Sequence, residues 1–209
     1  MKRAPRVAAV VLAAGGSTQL GRPKQLLEHG GEPLVRRAGH AALGAGADPV
    51  IIVLGAHAET VRHALDGLAV TVVVNDAWVK GLASSLAAGV RAALDTSDCE
   101  AVLVTLADQP LVDAAALGRL VAAFPGPTGV VASTYGDALG VPALFARAHA
   151  TDLMGLTGDA GAGRWLRAHR EQVVGVPMDA AALDVDTAED VVRLAQRSAA
   201  CGEGEGDAS

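Results

Sequence analysis

Aromatic side chains are scarce in this chain: two Trp, two Phe and one Tyr make up 2% of its 209 residues. Proteins that read unpaired bases stack them on such rings, and there is little here to stack on. Positive charge is not in excess either, since 17 Lys and Arg face 23 Asp and Glu for a formal net charge of −6. An acidic surface attracts neither a nucleic acid nor an anionic membrane. Both are therefore excluded as partners, and any anion must be held by a local site. Cysteine is nearly absent: Cys99 and Cys201 supply no disulfide framework and read as free thiols in a reducing cytoplasm, the expected location. No apolar run reaches the roughly 18 residues of a membrane-spanning helix. Lys2, Arg3 and Arg6 ahead of Val7–Ala14 have the outline of a short signal peptide. The run reads instead as a buried first strand, because it leads directly into a glycine loop.

What the chain does have is apolar bulk in small pieces. Half of it is hydrophobic (51%), much of that Ala and Val, which is enough for one large α/β domain with a core of many small contacts. Short β-branched runs alternate with longer Ala- and Leu-rich segments. Strands are expected at Val7–Leu12, Val50–Leu54, Val70–Val74 and Ala101–Leu106. Helices are expected from Pro33 toward Gly44, at Ala58–Leu65, Leu82–Leu94 and Ala114–Phe124. The strands are almost continuously apolar, which predicts burial on both faces of a parallel sheet. Beyond Pro125–Gly129 the rhythm loosens. Val130–Ser133 and Gly140–Phe145 read as strands flanking the turn Tyr135–Gly136–Asp137. Helices at Ala146–Leu156 and Gly161–His169 follow, then a strand at Gln172–Val176 and a last helix from Ala188 to Arg197. Residues 1–197 thus read as a single-domain, Rossmann-like three-layer α/β sandwich with a mostly parallel sheet. Residues 198–209, which end in CGEGEGDAS, read as a disordered acidic tail.

The stretch LAAGGSTQLGRPKQLL, residues 12–27, suggests a phosphate site but fits neither familiar phosphate loop. Gly16 and Gly21 have the glycine spacing of a Walker A motif, yet Arg22 and Pro23 stand where it needs Lys and Ser or Thr. Gly15–Gly16 with Gly21 does not supply the G-x-G-x-x-G of a dinucleotide fold. What remains is a loop whose small residues, Ala13–Gly16, let the backbone approach a ligand and point free N–H groups at an anion. Ser17 and Thr18 add hydroxyls. Lys24, at the far end, is placed to reach back over a phosphate as a point charge.

These residues resemble the L-A-A-G-x-S-x-R-M-G-x-x-K signature of the MobA-like nucleotidyltransferases, the molybdenum cofactor cytidylyltransferase and guanylyltransferase group. Leu12–Gly15, Ser17, Gly21 and Lys24 match it. Asn75–Asp76–Ala77–Trp78 with Gly81 and Ser84–Ser85–Leu86 is similar to that family's N-x-x-W…G-x-x-S-S-L segment. Leu106–Ala107–Asp108–Gln109–Pro110 resembles its A-D-Q-P motif. Thr157–Gly158–Asp159–Ala160–Gly161 and Asp184–Val185–Asp186–Thr187–Ala188–Glu189–Asp190 resemble its C-terminal blocks. The five blocks are collinear over about residues 7–195.

The resemblance implies a nucleotide-diphospho-sugar transferase-like fold. It implies a nucleotide site at Leu12, Ala13, Ala14, Gly15, Gly16, Ser17, Gly21, Lys24, Gly81 and Ser85, with Lys24 and Asp108 as catalytic residues. It also implies a Mg²⁺ cofactor on Asp108 and Asp186, Asp184 being the alternative to Asp186. The partners implied are a nucleoside triphosphate, CTP ahead of GTP, and a small phosphorylated acceptor of the molybdopterin type. Two positions depart from the pattern. Gln19 stands in place of the signature arginine, which removes a charge-assisted contact of about 1.5–3 kcal/mol; Arg22 is the nearby cation that can substitute. Val141 stands between Gly140 and Pro142, where relatives carry a polar residue.

The carboxylates have readings of their own. Asp108 follows a buried strand at its carboxyl end, where open α/β sheets place ligands, and Mg²⁺ takes one or two carboxylates with phosphate and water. Thr187 with Asp190 reads as a capping box for the last helix. Ser85 also suits a serine satisfying donors at a helix start. His57, Glu59 and His63 are spread around a helix and read as surface residues. Asp137, Asp159 and Arg164 are candidates for the acceptor side. The chemistry these residues suit is attack by an acceptor oxygen on the α-phosphorus of a nucleoside triphosphate, with pyrophosphate leaving. A nucleotide-binding protein without catalysis and a sugar-1-phosphate nucleotidyltransferase are the rival readings.

Overall fold

The computed structural model describes residues 3–17 and 19–202, with side chains described to residue 196. Lys2, the Thr18 hydroxyl and tail residues 203–209 lie outside the described residues. The first strand, β1 (Val7–Ala13), is buried along its whole length. Its residues alternate between two cores: Val7, Ala9, Val11 and Ala13 face one, and Ala8, Val10 and Leu12 the other. This is the two-faced burial that the apolar run predicts.

A 3-10 turn at Lys24–Leu26 leads to a hairpin of two-residue strands, β2 (Glu28–His29) and β3 (Glu32–Pro33), which the sequence reading lacks. The chain continues through α1 (Leu34–Gly44), β4 (Val50–Leu54), α2 (Ala58–His63), β5 (Thr71–Val74), α3 (Leu82–Thr96), β6 (Ala101–Leu106) and α4 (Ala114–Ala122). Then come β7 (Val130–Tyr135), β8 (Ala138–Ala146), α5 (Ala150–Met154), α6 (Ala162–Ala168), β9 (Val173–Pro177) and α7 (Ala188–Gly202). The seven-stranded sheet has the order β5-β4-β1-β6-β8-β7-β9. β8 runs antiparallel to β6 and β7, and the other neighbours pair in parallel.

Helices cover both faces. α1, α2 and α4 bury Val35, Val61, Leu117 and Leu120 in one core. α3, α5 and α6 bury Leu86, Val90, Leu153 and Leu166 in the other. The chain is therefore a single three-layer α/β domain with a mostly parallel sheet. The small satellite cluster Leu27, Leu34, Val185 and Leu194 docks α7 beside the turn after the glycine loop. Among the described residues no helix is long and apolar enough to cross a membrane.

Three expectations are corrected. β5 and β9, at the sheet's edges, are only partly buried despite their apolar sequence, because each has one neighbour strand. The helix expected at Ala146–Leu156 gives its start to the sheet. Ala146 N–H donates to the Gly129 carbonyl at 2.9 Å and Arg147 N–H to the Glu100 carbonyl at 2.9 Å, which leaves a 3-10 turn and a short α5. The last helix continues to Gly202, into the stretch read as the start of the tail.

Candidate functional site

From β1 the chain crosses toward β4 on one side, and from β6 toward β8 on the other. The loops leaving the carboxyl ends of these adjacent strands diverge and open a crevice there. The glycine loop enters it from β1 and Asp108 from β6.

The loop is held by a residue the sequence reading passed over. Gln25 is 2% exposed, and its Nε2 donates to the Ala13 carbonyl at 2.9 Å and the Gly15 carbonyl at 2.8 Å. Ser17 sits in the left-handed region at φ 52°. Its Oγ accepts the Lys24 backbone N–H at 2.9 Å and donates to Gln25 Oε1 at 3.4 Å, so its hydroxyl braces the loop from within. Trp78 lies against the other side: a Cβ on Gly55 would come within 2.6 Å of Trp78 Cβ and 2.8 Å of the Ala14 carbonyl oxygen. Only glycine permits that approach.

Asn75 organises the far wall. It is buried, its Oδ1 accepts the Ala77 N–H at 3.0 Å, and its Nδ2 donates to Ser84 Oγ at 2.9 Å and Ser85 Oγ at 3.0 Å. Ser85 is therefore tied to Asn75 rather than capping the helix. Gly81, at φ 100°, brings the start of α3 against the Gly158 backbone, and Ala83 N–H donates to the Gly158 carbonyl at 3.0 Å.

These walls enclose a cavity of about 430 Å³. Its lining includes Leu12, Ala13, Ala14, Gly15, Gly16, Lys24, Gly81, Ser85 and Asp108, nine of the positions named from the sequence, together with Gln25, Trp78 and Asp159. Ser17 and Gly21 do not line it, Gly21 being an exposed turn residue at φ 64°. Gln19 and Arg22 are exposed. Arg22 borders a separate cavity between residues 26–30 and α7.

The Lys24 side chain passes beside Gly15, and its ammonium ends on two carboxylates. Its Nζ donates to Asp108 Oδ2 at 2.5 Å and to Asp186 Oδ1 at 2.6 Å, joining residues 84 and 162 positions away. The Lys24 and Asp108 side chains are each 16% exposed, and Asp186 is 57% exposed. Burial disfavours the Lys24 charge, but attraction and hydrogen bonds from Asp108 and then Asp186 outweigh it and hold the pKa above the usual lysine value.

The C-terminal carboxylates reach the site through backbone ties. Val185 N–H donates to the Asp108 carbonyl at 2.9 Å, and Gln109 Nε2 donates to the carbonyls of Val141 and Ala181, each at 3.1 Å. The capping box forms: Asp190 N–H donates to Thr187 Oγ1 at 3.2 Å, and Thr187 N–H to Asp190 Oδ2 at 2.9 Å. Asp184 joins the same electrostatic cluster. Its desolvated position and the Asp108 charge push its pKa up to about 6.

Asp108 Oδ1 is buried and has no hydrogen-bond partner. A carboxylate with a spare buried oxygen, facing a second carboxylate beside a loop of N–H groups, fits a hard divalent cation shared with phosphate. Among the described residues no group of three or more His, Cys, Asp or Glu converges on a metal position, and His57, Glu59 and His63 are exposed. A second cavity of about 250 Å³ adjoins the first and shares Leu12, Leu82, Leu106 and Asp159 with it. Tyr135, Val141, Arg164 and Arg167 line its other side. Asp137 stands apart, with its backbone carbonyl accepting from Arg170.

The sequence pattern of the family described as MobA-like NTP transferase domain matches residues 9–173. Rv0371c from Mycobacterium tuberculosis H37Rv is 35% identical, with a TM-score of 0.76 over 91% of this chain and 98% of that one. A complex of Rv0371c with manganese superposes with a TM-score of 0.71 at 33% identity, covering 91% of this chain and 98% of that one. A nucleotidyl transferase from Methanothermobacter thermautotroptrophicus (Mth528) is 27% identical, with a TM-score of 0.81 over 94% of this chain and 99% of that one. A Paenarthrobacter nicotinovorans protein named nicotine blue oxidoreductase is 35% identical over 91% of this chain and 97% of its own.

Proposed function

The chain belongs to the MobA-like NTP transferase family, and from that premise we propose that it is a Mg²⁺-dependent nucleotidyltransferase. In this reading it moves a nucleoside monophosphate, with CTP as the favoured donor and GTP the alternative, onto a phosphorylated acceptor of the molybdopterin type. The observation that carries the proposal is the convergence of Lys24, Asp108 and Asp186 at the mouth of the glycine-loop cavity.

The loop N–H groups from Ala14 to Gly16 hold the triphosphate, with Lys24 as its counter-charge. Ser85, on the far wall, faces the base or ribose. Asp108 and Asp186 would hold a divalent cation, which when bound would supply neutralisation of the phosphate charge. Arg164 and Arg167 rim the adjoining cavity and suit an anionic acceptor. An acceptor oxygen entering from that side attacks the α-phosphorus as pyrophosphate leaves in line. The protein need supply no covalent nucleophile, because positioning and preorganised charge carry the rate. The manganese complex of Rv0371c supports a divalent-metal site in the family.

The test is calorimetric titration of CTP, GTP, ATP and UTP with and without Mg²⁺, on wild type and Asp108→Ala. Selective, Mg²⁺-dependent binding that Asp108→Ala abolishes is the expected result, followed by pyrophosphate release with candidate acceptors. Absence of binding by any triphosphate at millimolar concentration would overturn the proposal. Gln19→Arg separates enzyme from binder: turnover rising by orders of magnitude from nothing assigns the natural chain to the non-catalytic class. Full-length similarity to a protein named as an oxidoreductase raises a second reading, which oxidation of NADH or NADPH by the purified chain would reveal.

A further inference from the structure

The position of Lys24 sets an order of events. Its ammonium has three N–H donors, and two of them point at carboxylate oxygens on segments that come together only in the fold. The pair it joins is the same pair proposed to hold the divalent cation. A doubly charged ion cannot settle between Asp108 and Asp186 while an ammonium lies there, since like charges at contact distance repel strongly in a half-buried site. The lysine must leave first. Its destination is close: an ideal Cβ on Gly15 would lie 4.0 Å from Lys24 Cε, so the end of the side chain already rests against the phosphate-binding loop. Rotation about the terminal bonds moves the ammonium from carboxylates to loop. Without an anion on the loop, that move exchanges two ion pairs for none.

We propose that Lys24 is the resident cation of the Asp108–Asp186 pair in the nucleotide-free protein, so that divalent metal enters with the nucleotide, whose phosphates take over the lysine. The idea rests on the nucleotidyltransferase reading for the identity of the anion, but not for the competition between lysine and metal. A consequence follows that runs against simple site building. Removing a lysine from the site raises its affinity for free metal while lowering its affinity for nucleotide. The buried Asp108 Oδ1, which has no partner, supplies the extra metal ligand once the lysine is gone.

The experiment titrates Mn²⁺ into nucleotide-free protein, with free Mn²⁺ read by electron paramagnetic resonance. Wild type, Lys24→Met and the Lys24→Met/Asp108→Asn double variant are compared. The proposal expects Lys24→Met to bind Mn²⁺ at least tenfold more tightly than wild type, and the added Asp108→Asn to remove the gain. If Lys24→Met binds no more tightly than wild type, including the case where neither binds, the proposal is wrong. A measurement on wild type alone guards against a poorly folded variant. The chain has three lysines, Lys2, Lys24 and Lys80. Modification by an amine reagent, quantified by mass spectrometry, should rise at Lys24 relative to Lys80 when excess Mn²⁺ fills the wild-type site. Unchanged Lys24 labelling under those conditions would overturn the competition. Neither measurement uses a nucleotide, so failure of the transferase reading in the triphosphate titration leaves their outcome independent.

Discussion

Gln25 offers the sharpest probe of how the loop is shaped. Gln25→Leu keeps the side-chain volume and removes two N–H···O bonds, to Ala13 at 2.9 Å and Gly15 at 2.8 Å, as well as the tie to Ser17. The two short bonds, at a net contribution near 1 kcal/mol each, give a loss of about 2 kcal/mol, and the 3.4 Å tie to Ser17 adds little. For a domain of this size that corresponds to a fall in Tm of about 4–8 °C. Nucleotide affinity should fall as well, because the same carbonyls fix the direction of the loop's N–H groups. Gln25→Glu sharpens the test. Its carboxylate would face two carbonyl oxygens, so this variant should be less stable than Gln25→Leu at pH 7 and recover toward pH 5 as the acid protonates and regains a donor. Urea denaturation at both pH values, with CTP calorimetry alongside, measures these effects. A loss below about 0.5 kcal/mol with unchanged nucleotide binding would refute the idea that Gln25 braces the loop.

Two further outcomes are expected. Gly81→Ala places a Cβ against the Gly158 carbonyl and Asp159 at a φ of 100°, so denaturant unfolding should show a loss of at least about 2 kcal/mol, unlike Gly118→Ala, where the added carbon meets nothing. For Asp184 the folded pKa of about 6 lies above the unfolded value. Its contribution to stability is therefore present below about pH 4 and lost as pH rises through 6. Asp184→Asn should accordingly stabilise the protein at pH 8 and leave it unchanged at pH 4. Unscreened, that pKa difference corresponds to about 3 kcal/mol; because solvent reaches much of the Asp184 surface even though its carboxyl is partly desolvated, the effect is reduced to about 1 kcal/mol. Thermal melts of both proteins across pH 4–8 check the sign.

Much of the α/β rhythm was legible because the central strands bury both faces, and Val50–Leu54 and Ala101–Leu106 have the bounds their apolar runs imply. The hairpin at 28–33 was not, since strands of two residues carry no periodicity and Gly30 and Gly31 alone hint at a turn. Family blocks pointed to most residues that line the glycine-loop cavity. They did not point to Gln25, which sits among Leu and Lys with nothing local to mark it as a brace, or to Asn75 as the hub behind Ser84 and Ser85. The bridging of Asp108 and Asp186 by Lys24 escaped the sequence for another reason. It depends on where the sheet order and the Val185–Asp108 tie bring distant segments together, and no local pattern encodes that.

The reversal of β8 has a consequence for how such a protein can diversify. Because β8 runs against its neighbours, its opening residues return to the same edge of the sheet as the ends of β1 and β6. The two cavities therefore stand side by side and share a partition of three leucines and Asp159. One compartment is furnished by β1, the β5–α3 connection and the loop after β6; the other draws on the β7–β8 hairpin and α6. Substitutions in the hairpin can reshape the second room without disturbing the floor of the first. A lineage can thus vary one compartment while keeping the other.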